Sequence, residues 1–125
     1  MVKAMDVADL IITEAYNNDS PVSNLKLQKI MYFLNAIHLL DYKTPLITDV
    51  KFEKWDYGPT IPYVYSEYKL NGGNEILAPI PHVFLQLCHE YFTVGVYRFN
   101  INNLKLSDIN FVKNSIKKFL LYTPF

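Results

Sequence analysis

His82, Cys88, His89 and Glu90 are the residues whose types and spacing come nearest to chemistry in this sequence. A metal site needs several donors converging on one point. Read on a helix, Cys88 and Glu90 splay from His89 by roughly 100° per residue, too far apart to share an ion. His82 and His89 lie nearly two turns apart, beyond the i, i+4 pairing that metal-binding helices use. The group therefore does not read as a metal site. Adjacent Cys88 and His89 do not make a nucleophile and base either, because catalytic pairs are neighbours in space rather than in sequence. Cys88 reads instead as a small buried hydrophobe. Asp6 and Asp9 fall in the first turn of a helix, where carboxylates complement the helix dipole. There is no G-x-S-x-G elbow, Walker loop or dinucleotide fingerprint. Gly72-Gly73 follows a helix and reads as its cap. The expectation is a protein with no catalytic residue, no metal and no cofactor, and not an enzyme.

The elements that must position these residues are mostly helical. Asp6 caps a first helix to Asn17, with Val7, Leu10, Ile11, Glu14 and Ala15 at helical spacing. NNDSP breaks it. Ser23 or Asn24 then caps LKLQKIMYFLNAIHLL, which contains neither glycine nor proline. Leu27, Ile30, Met31, Leu34, Ile37 and His38 form one face, and Tyr32, Phe33, Leu39 and Leu40 cover much of the rest. A helix apolar on so many sides is expected to be central, over residues 24–40. Within it, Asn35 and His38 read as partnered polar groups. Asn35 is expected to hold the backbone of a neighbouring loop, with the GPTIP turn as the candidate.

Pro45 to Tyr57 reads as a short strand around Val50, Phe52 and Trp55. Gly58-Pro59 turns the chain into a helix opened by Pro62, carrying Val64, Tyr65 and Tyr68, and ended by Gly72-Gly73. Pro81 to Tyr91 is expected to be a helix with Val83, Phe84, Leu87, Cys88 and Tyr91 on one side. TVGVYRFNI reads as a strand bent at Gly95. Ser107 or Asp108 caps a last helix with the stripe Ile109, Val112, Ile116, Phe119 and Leu120. The predicted fold is α+β and predominantly helical. About five helices surround the central one, with a small antiparallel sheet, in a single domain over 1–125.

Twelve basic and twelve acidic residues cancel over 125 positions, and Arg98 is the only arginine. A chain without net charge has no field to steer it to DNA or an anionic membrane, and arginine does most of the reading of guanine and phosphate. Both facts argue against a nucleic-acid partner. The most apolar run, Ile30 to Leu40, is too short to span a bilayer, and the N-terminus lacks a signal-peptide core. With Cys88 the sole cysteine, a soluble, cytoplasmic setting is expected. Ten tyrosines exceed what a core of this size needs. Some are expected at the surface, where aromatic clusters mark partner sites.

Two segments carry a resemblance. NLKLQKIMYFLNAIHL, followed by FEKWDYGPTIPYVYSEYKLNGG, is similar to the Panacea domain family, typified by phage-associated GepA proteins and SocA-like antitoxins. In the first segment the matching positions are Ser23, Asn24, Leu25, Lys26, Leu27, Gln28, Lys29, Tyr32 and Phe33. In the second they are Phe52, Trp55, Tyr57, Gly58, Pro59, Pro62, Val64, Tyr65 and Tyr68. The first helix also resembles the family's opening segment, so the likeness covers about the first 75 residues. Lys54 and Thr60 depart from the family's usual alanine and valine. Members commonly continue past the last helix into a segment with Thr-His and a tryptophan, and this chain stops before it, as a short member or a truncated chain.

The resemblance implies an antitoxin module that neutralises a cognate toxin by direct protein contact or, in some members, by delivering it to a protease. It further implies that the shared motif is mainly structural and that toxin contacts fall in the later half, around Tyr91 to Asn102. Candidate partner contacts are thus Tyr57 and Tyr63 beside the motif, and Tyr91, Tyr97 and Arg98 beyond it. Two other readings stay open: a prophage-encoded regulatory DNA-binding or accessory protein, and an enzyme using Cys88 and His89.

Overall fold

Helix α1 (Ala4–Asn17) is the element around which the others gather in the computed structural model, which describes residues 2–122. Ten of its fourteen residues are buried. Its alanines at 4, 8 and 15 let neighbouring helices approach closely, and it touches α2 (Asn24–Tyr42), α3 (Pro62–Glu67) and α4 (Leu106–Tyr122). The sequence pointed to α2 as the central helix, and this is corrected. Only six of its nineteen residues are buried, and Tyr32, Phe33, Leu39 and Leu40 are exposed. Apolar content is not burial; what decides is which helix has neighbours on all sides.

The start of α1 also differs from expectation. Asp6 is not its cap. The helix begins at Ala4, whose N–H donates to Asp49 Oδ1 at 2.9 Å, so the capping carboxylate comes from the loop after α2. Val2 and Thr48 exchange backbone and hydroxyl bonds beside it. On α2, Ser23 is the cap and accepts from the Lys26 N–H. Asn35 Oδ1 accepts from the Ile47 N–H at 2.9 Å, so it does hold a loop, though not the GPTIP segment. His38 Nδ1 lies 2.6 Å from the Thr44 carbonyl of the same connection.

GPTIP belongs to other residues of the motif. Gln28 Oε1 accepts the Ile61 N–H at 3.0 Å, and Asn24 Nδ2 donates to the Tyr65 carbonyl at 2.9 Å. Asn24 and Gln28 are one turn apart on α2, so Gln28 holds the entry of α3 while Asn24 holds its later part. Gly58 and Pro59 do not make the turn into that helix. They form strand β2 (Gly58–Thr60), which pairs antiparallel with β1 (Glu53–Trp55) across Asp56-Tyr57. Gly58 sits at φ +118°, a conformation that favours glycine. Helix α3 ends at Glu67, short of Gly72-Gly73. A 3₁₀ turn over Lys69–Asn71 follows, and Gly72, at φ +57°, closes that instead.

The main correction lies between residues 81 and 91. The expected helix is strand β3 (His82–Cys88), paired with β4 (Tyr91–Tyr97) in an antiparallel hairpin around His89-Glu90. HVFLQLC is apolar at nearly every position and carries no clear period, while the ladder bonds to β4 reward the extended form. Strand β4 runs through Gly95 in unbroken register rather than bending there. Among the described residues there are thus four α-helices, two short 3₁₀ turns and two separate two-stranded sheets. The class is α+β, as expected, with four helices in place of five. Helix α4 buries Ile109, Val112, Ile116 and Phe119 in the common core, as its stripe predicts.

Candidate functional site

The foot of the β3–β4 hairpin is built on two carboxylates of α1. Asp9 is fully buried and His82 is 1% exposed. His82 Nε2 lies 2.9 Å from Asp9 Oδ2, and His82 Nδ1 lies 2.7 Å from Glu67 Oε1 on α3. Each contact needs a proton between nitrogen and oxygen; an imidazolium supplies both, whereas a neutral ring would need one carboxyl protonated. The Tyr68 hydroxyl donates to the other Asp9 oxygen and accepts the Ile80 N–H at 3.3 Å. One turn earlier on α1, Asp6 accepts from the Tyr97 hydroxyl, to which Asn103 Nδ2 also donates. No buried side-chain nitrogen or oxygen among the described residues lacks a partner.

Burial dominates the electrostatics. It holds the Asp9 carboxyl above the usual carboxylate range, against the lowering effect of the bonds from Tyr68 and His82. It also pushes the Tyr68 phenol well up, and the Asp9 charge adds to this. Tyr97 is pushed up to about 12, first by burial and then by its bond to Asp6. Tyr63 is raised by burial and by the charges of Glu67 and Asp9. The two carboxylates take opposite nitrogens of the His82 ring and do not converge on a common point. No group of three His, Cys, Asp or Glu among the described residues is placed to hold a metal ion.

An open cleft of about 340 Å³ lies beside this foot, lined by Lys3, Met5, Asp49, Tyr63, Phe84 and Tyr97. The Lys3 ammonium stands 5.8 Å from the centre of the Tyr97 ring. The phenol of Tyr97 and the half-exposed rings of Tyr63 and Phe84 give the cleft apolar walls, and Lys3 and Asp49 set one charge of each sign at it. Phe84 owes its position to Gly95: a Cβ there would meet the ring at 2.3 Å.

The two faces of the hairpin differ. Register partners share a face and successive residues alternate. His82, Phe84, Gln86 and Cys88 therefore lie with Tyr91, Thr93, Gly95 and Tyr97, on the side fastened to the body. Val83, Leu85 and Leu87 lie with Phe92, Val94 and Val96 on the other. All six of these are 55–72% exposed, and none carries a charge.

Of the five residues proposed from sequence as partner contacts, the structure brings Tyr63 and Tyr97 into one cleft. Tyr91 opens β4 next to the hairpin turn, exposed and on the same face as Phe84. Tyr57 projects from the β1–β2 turn, and Arg98 lines a separate recess with Thr13, Pro79, Ile80, Pro81 and Phe99. The motif residues divide between the core and the surface. Leu27, Gln28 and Tyr68 are buried, Trp55 meets Tyr65 edge-on at 5.3 Å, and Tyr32 meets Phe52 edge-on at 5.3 Å. Leu25, Tyr32, Phe33 and Tyr57 are exposed.

Sequence reasoning missed the Asp9–His82–Glu67–Tyr68 cluster and the parts played by Lys3, Met5, Asp49 and Phe84. It gave Asp9 only a dipole role, and Asp6 that role and the helix cap. The available signal was MDVADLII, in which two acids stand within an apolar run and on a helix that buries both sides.

Residues 27–125 match the family described as "Antitoxin SocA-like, Panacea domain". A relative is Antitoxin SocA of Caulobacter vibrioides (strain NA1000 / CB15N), 41% identical over 76 residues. The aligned segment covers 61% of this chain and 40% of the relative's length. No solved structure matches the chain. Among the described residues no helix is long and apolar enough to cross a membrane.

Proposed function

Because the chain belongs to the SocA-like antitoxin family of Panacea domains, we propose that it is the binding half of a toxin–antitoxin pair. It captures its toxin by protein contact and performs no chemistry of its own. The observation that carries this reading is the cleft at the hairpin foot, where Tyr63, Phe84 and Tyr97 converge beside Lys3 and Asp49. Aromatic anchors in a pocket with a polar rim are the arrangement that dominates protein interfaces. The Asp9–His82 pair beneath it is buried, with Glu67 partly exposed at its edge, which supports a role in holding the hairpin rather than in turning over a substrate.

The test is co-expression with the product of the neighbouring gene. Co-purification and restored growth are expected, and Tyr63→Ala, which removes an exposed ring from the cleft wall, should weaken both while leaving the fold intact. A harmless neighbour that forms no complex would overturn the reading. Toxin abundance separates the two outcomes of capture: it is unchanged under simple neutralisation and falls if the captured toxin is handed to a protease.

A further inference from the structure

We propose that the outer face of the β3–β4 hairpin is a self-association surface, on which Val83, Leu85, Leu87, Phe92, Val94 and Val96 of one copy pack against the same six residues of a second copy. The face has two properties that ordinary partner sites lack. It is wholly apolar, whereas exchangeable interfaces are about as polar as the surface around them and permanent homodimer interfaces are not. It also bears no charge in a chain of zero net charge, so electrostatic repulsion does not oppose an isologous contact. The cleft on the other side of the hairpin, with Lys3 and Asp49 at its lining, has the mixed character suited to an exchangeable partner.

Area and sheet physics agree. Six side chains at this exposure offer each copy on the order of 700 Å², so two faces would remove about 1,400 Å² from water, within the standard range for stable interfaces. A lone two-stranded sheet is marginal in water, and among the described residues neither β3 nor β4 pairs with a third strand. Two hairpins packed face to face at about 10 Å make a small sandwich with a core of its own. A second copy is also always present at the concentration of the chain, so the face need not stand bare when no other partner is available. A face of this kind left bare would invite aggregation.

The experiment is light scattering of the purified full chain across a range of concentrations up to high micromolar. The expected mass is twice the 14.6 kDa of one chain. Leu85→Asp and Val94→Asp, at positions paired in register, should each give monomers with unchanged far-UV circular dichroism. Val94→Thr keeps the β-branched shape, so it tests the face without endangering the strand, and a dimer that dissociates at least tenfold more readily is expected. A wild-type monomer throughout the range overturns the proposal. So does a dimer that survives both aspartates, and so does a monomeric chain whose aspartate variants lose only the toxin, which would assign the face to that partner.

Discussion

His82 and Tyr97 are register partners at the foot of the second hairpin, their rings stacked with centroids 6.3 Å apart, and both are fastened to α1. Asp9 takes the first and Asp6 the second, one turn apart on the same helix. The hairpin is thus bolted at its base by two buried acids, while the rest of its length stands away from the core.

Replacing His82 by alanine leaves Asp9 and Glu67 facing a void with no proton between them. Leaving a buried hydrogen-bonding group without its partner costs about 1–3 kcal/mol. The expected result is a loss of that size in urea denaturation. Amide exchange should also accelerate in β3 and β4 well beyond any change in α2. A variant that unfolds at the wild-type midpoint would show that the bolt carries no load.

Tyr97 predicts an alkaline limit. Its phenol is raised from 10.0 to about 12 in the folded chain, so the fold holds that proton more tightly than the unfolded chain does. The stability it contributes is full below pH 10.0 and is lost as pH rises through about 12. Tyr68 moves in the same direction. Absorbance titration of the ten tyrosines should show a late fraction that ionises only as the chain unfolds. Tyr97→Phe should shrink that fraction, and normal early titration of every tyrosine would contradict the assignment.

Gln28→Ala should unpair the buried Ile61 N–H and release the entry of α3. A buried donor left without a partner costs about 1–3 kcal/mol. Gln28→Glu keeps an acceptor at that position and should recover part of the loss. The comparison of thermal midpoints reads this directly; equal midpoints for Gln28→Ala and the wild type would remove this bond from the account.

Gly95→Ala places a methyl group in the space occupied by the Phe84 ring. Overpacking of this kind costs about 1–3 kcal/mol. In the double variant Phe84→Leu with Gly95→Ala the two losses should not add, because the smaller side chain yields the space. Additive losses in denaturant would mean that the two positions act independently.

Much of this architecture is legible in the residues, and the exceptions have causes. Ser23 and the apolar face of α2 announce that helix, and Ile109, Val112, Ile116 and Phe119 announce α4, because caps and a 3.6 period are local properties. Strand β3 is not legible: HVFLQLC lacks a clear period, and its partner strand decides the matter. The Tyr63–Tyr97 cleft was half visible, through its tyrosines but not through Phe84 or Lys3. The cluster beneath was invisible, since nothing local links an acid at position 9 to a histidine at 82.

Those long separations have a consequence for synthesis. Asp9 reaches a partner 73 residues away, and Asp6 one 91 residues away. When α1 is made, Asp6 still lacks the Tyr97 hydroxyl and Asp9 lacks the His82 ring, although Tyr68 reaches Asp9 before the hairpin does. Contacts so distant along the chain make folding late and slow. During synthesis the hairpin's attachment to α1 is therefore completed only after β4 has been made, and until then the binding surface at its foot is unfinished.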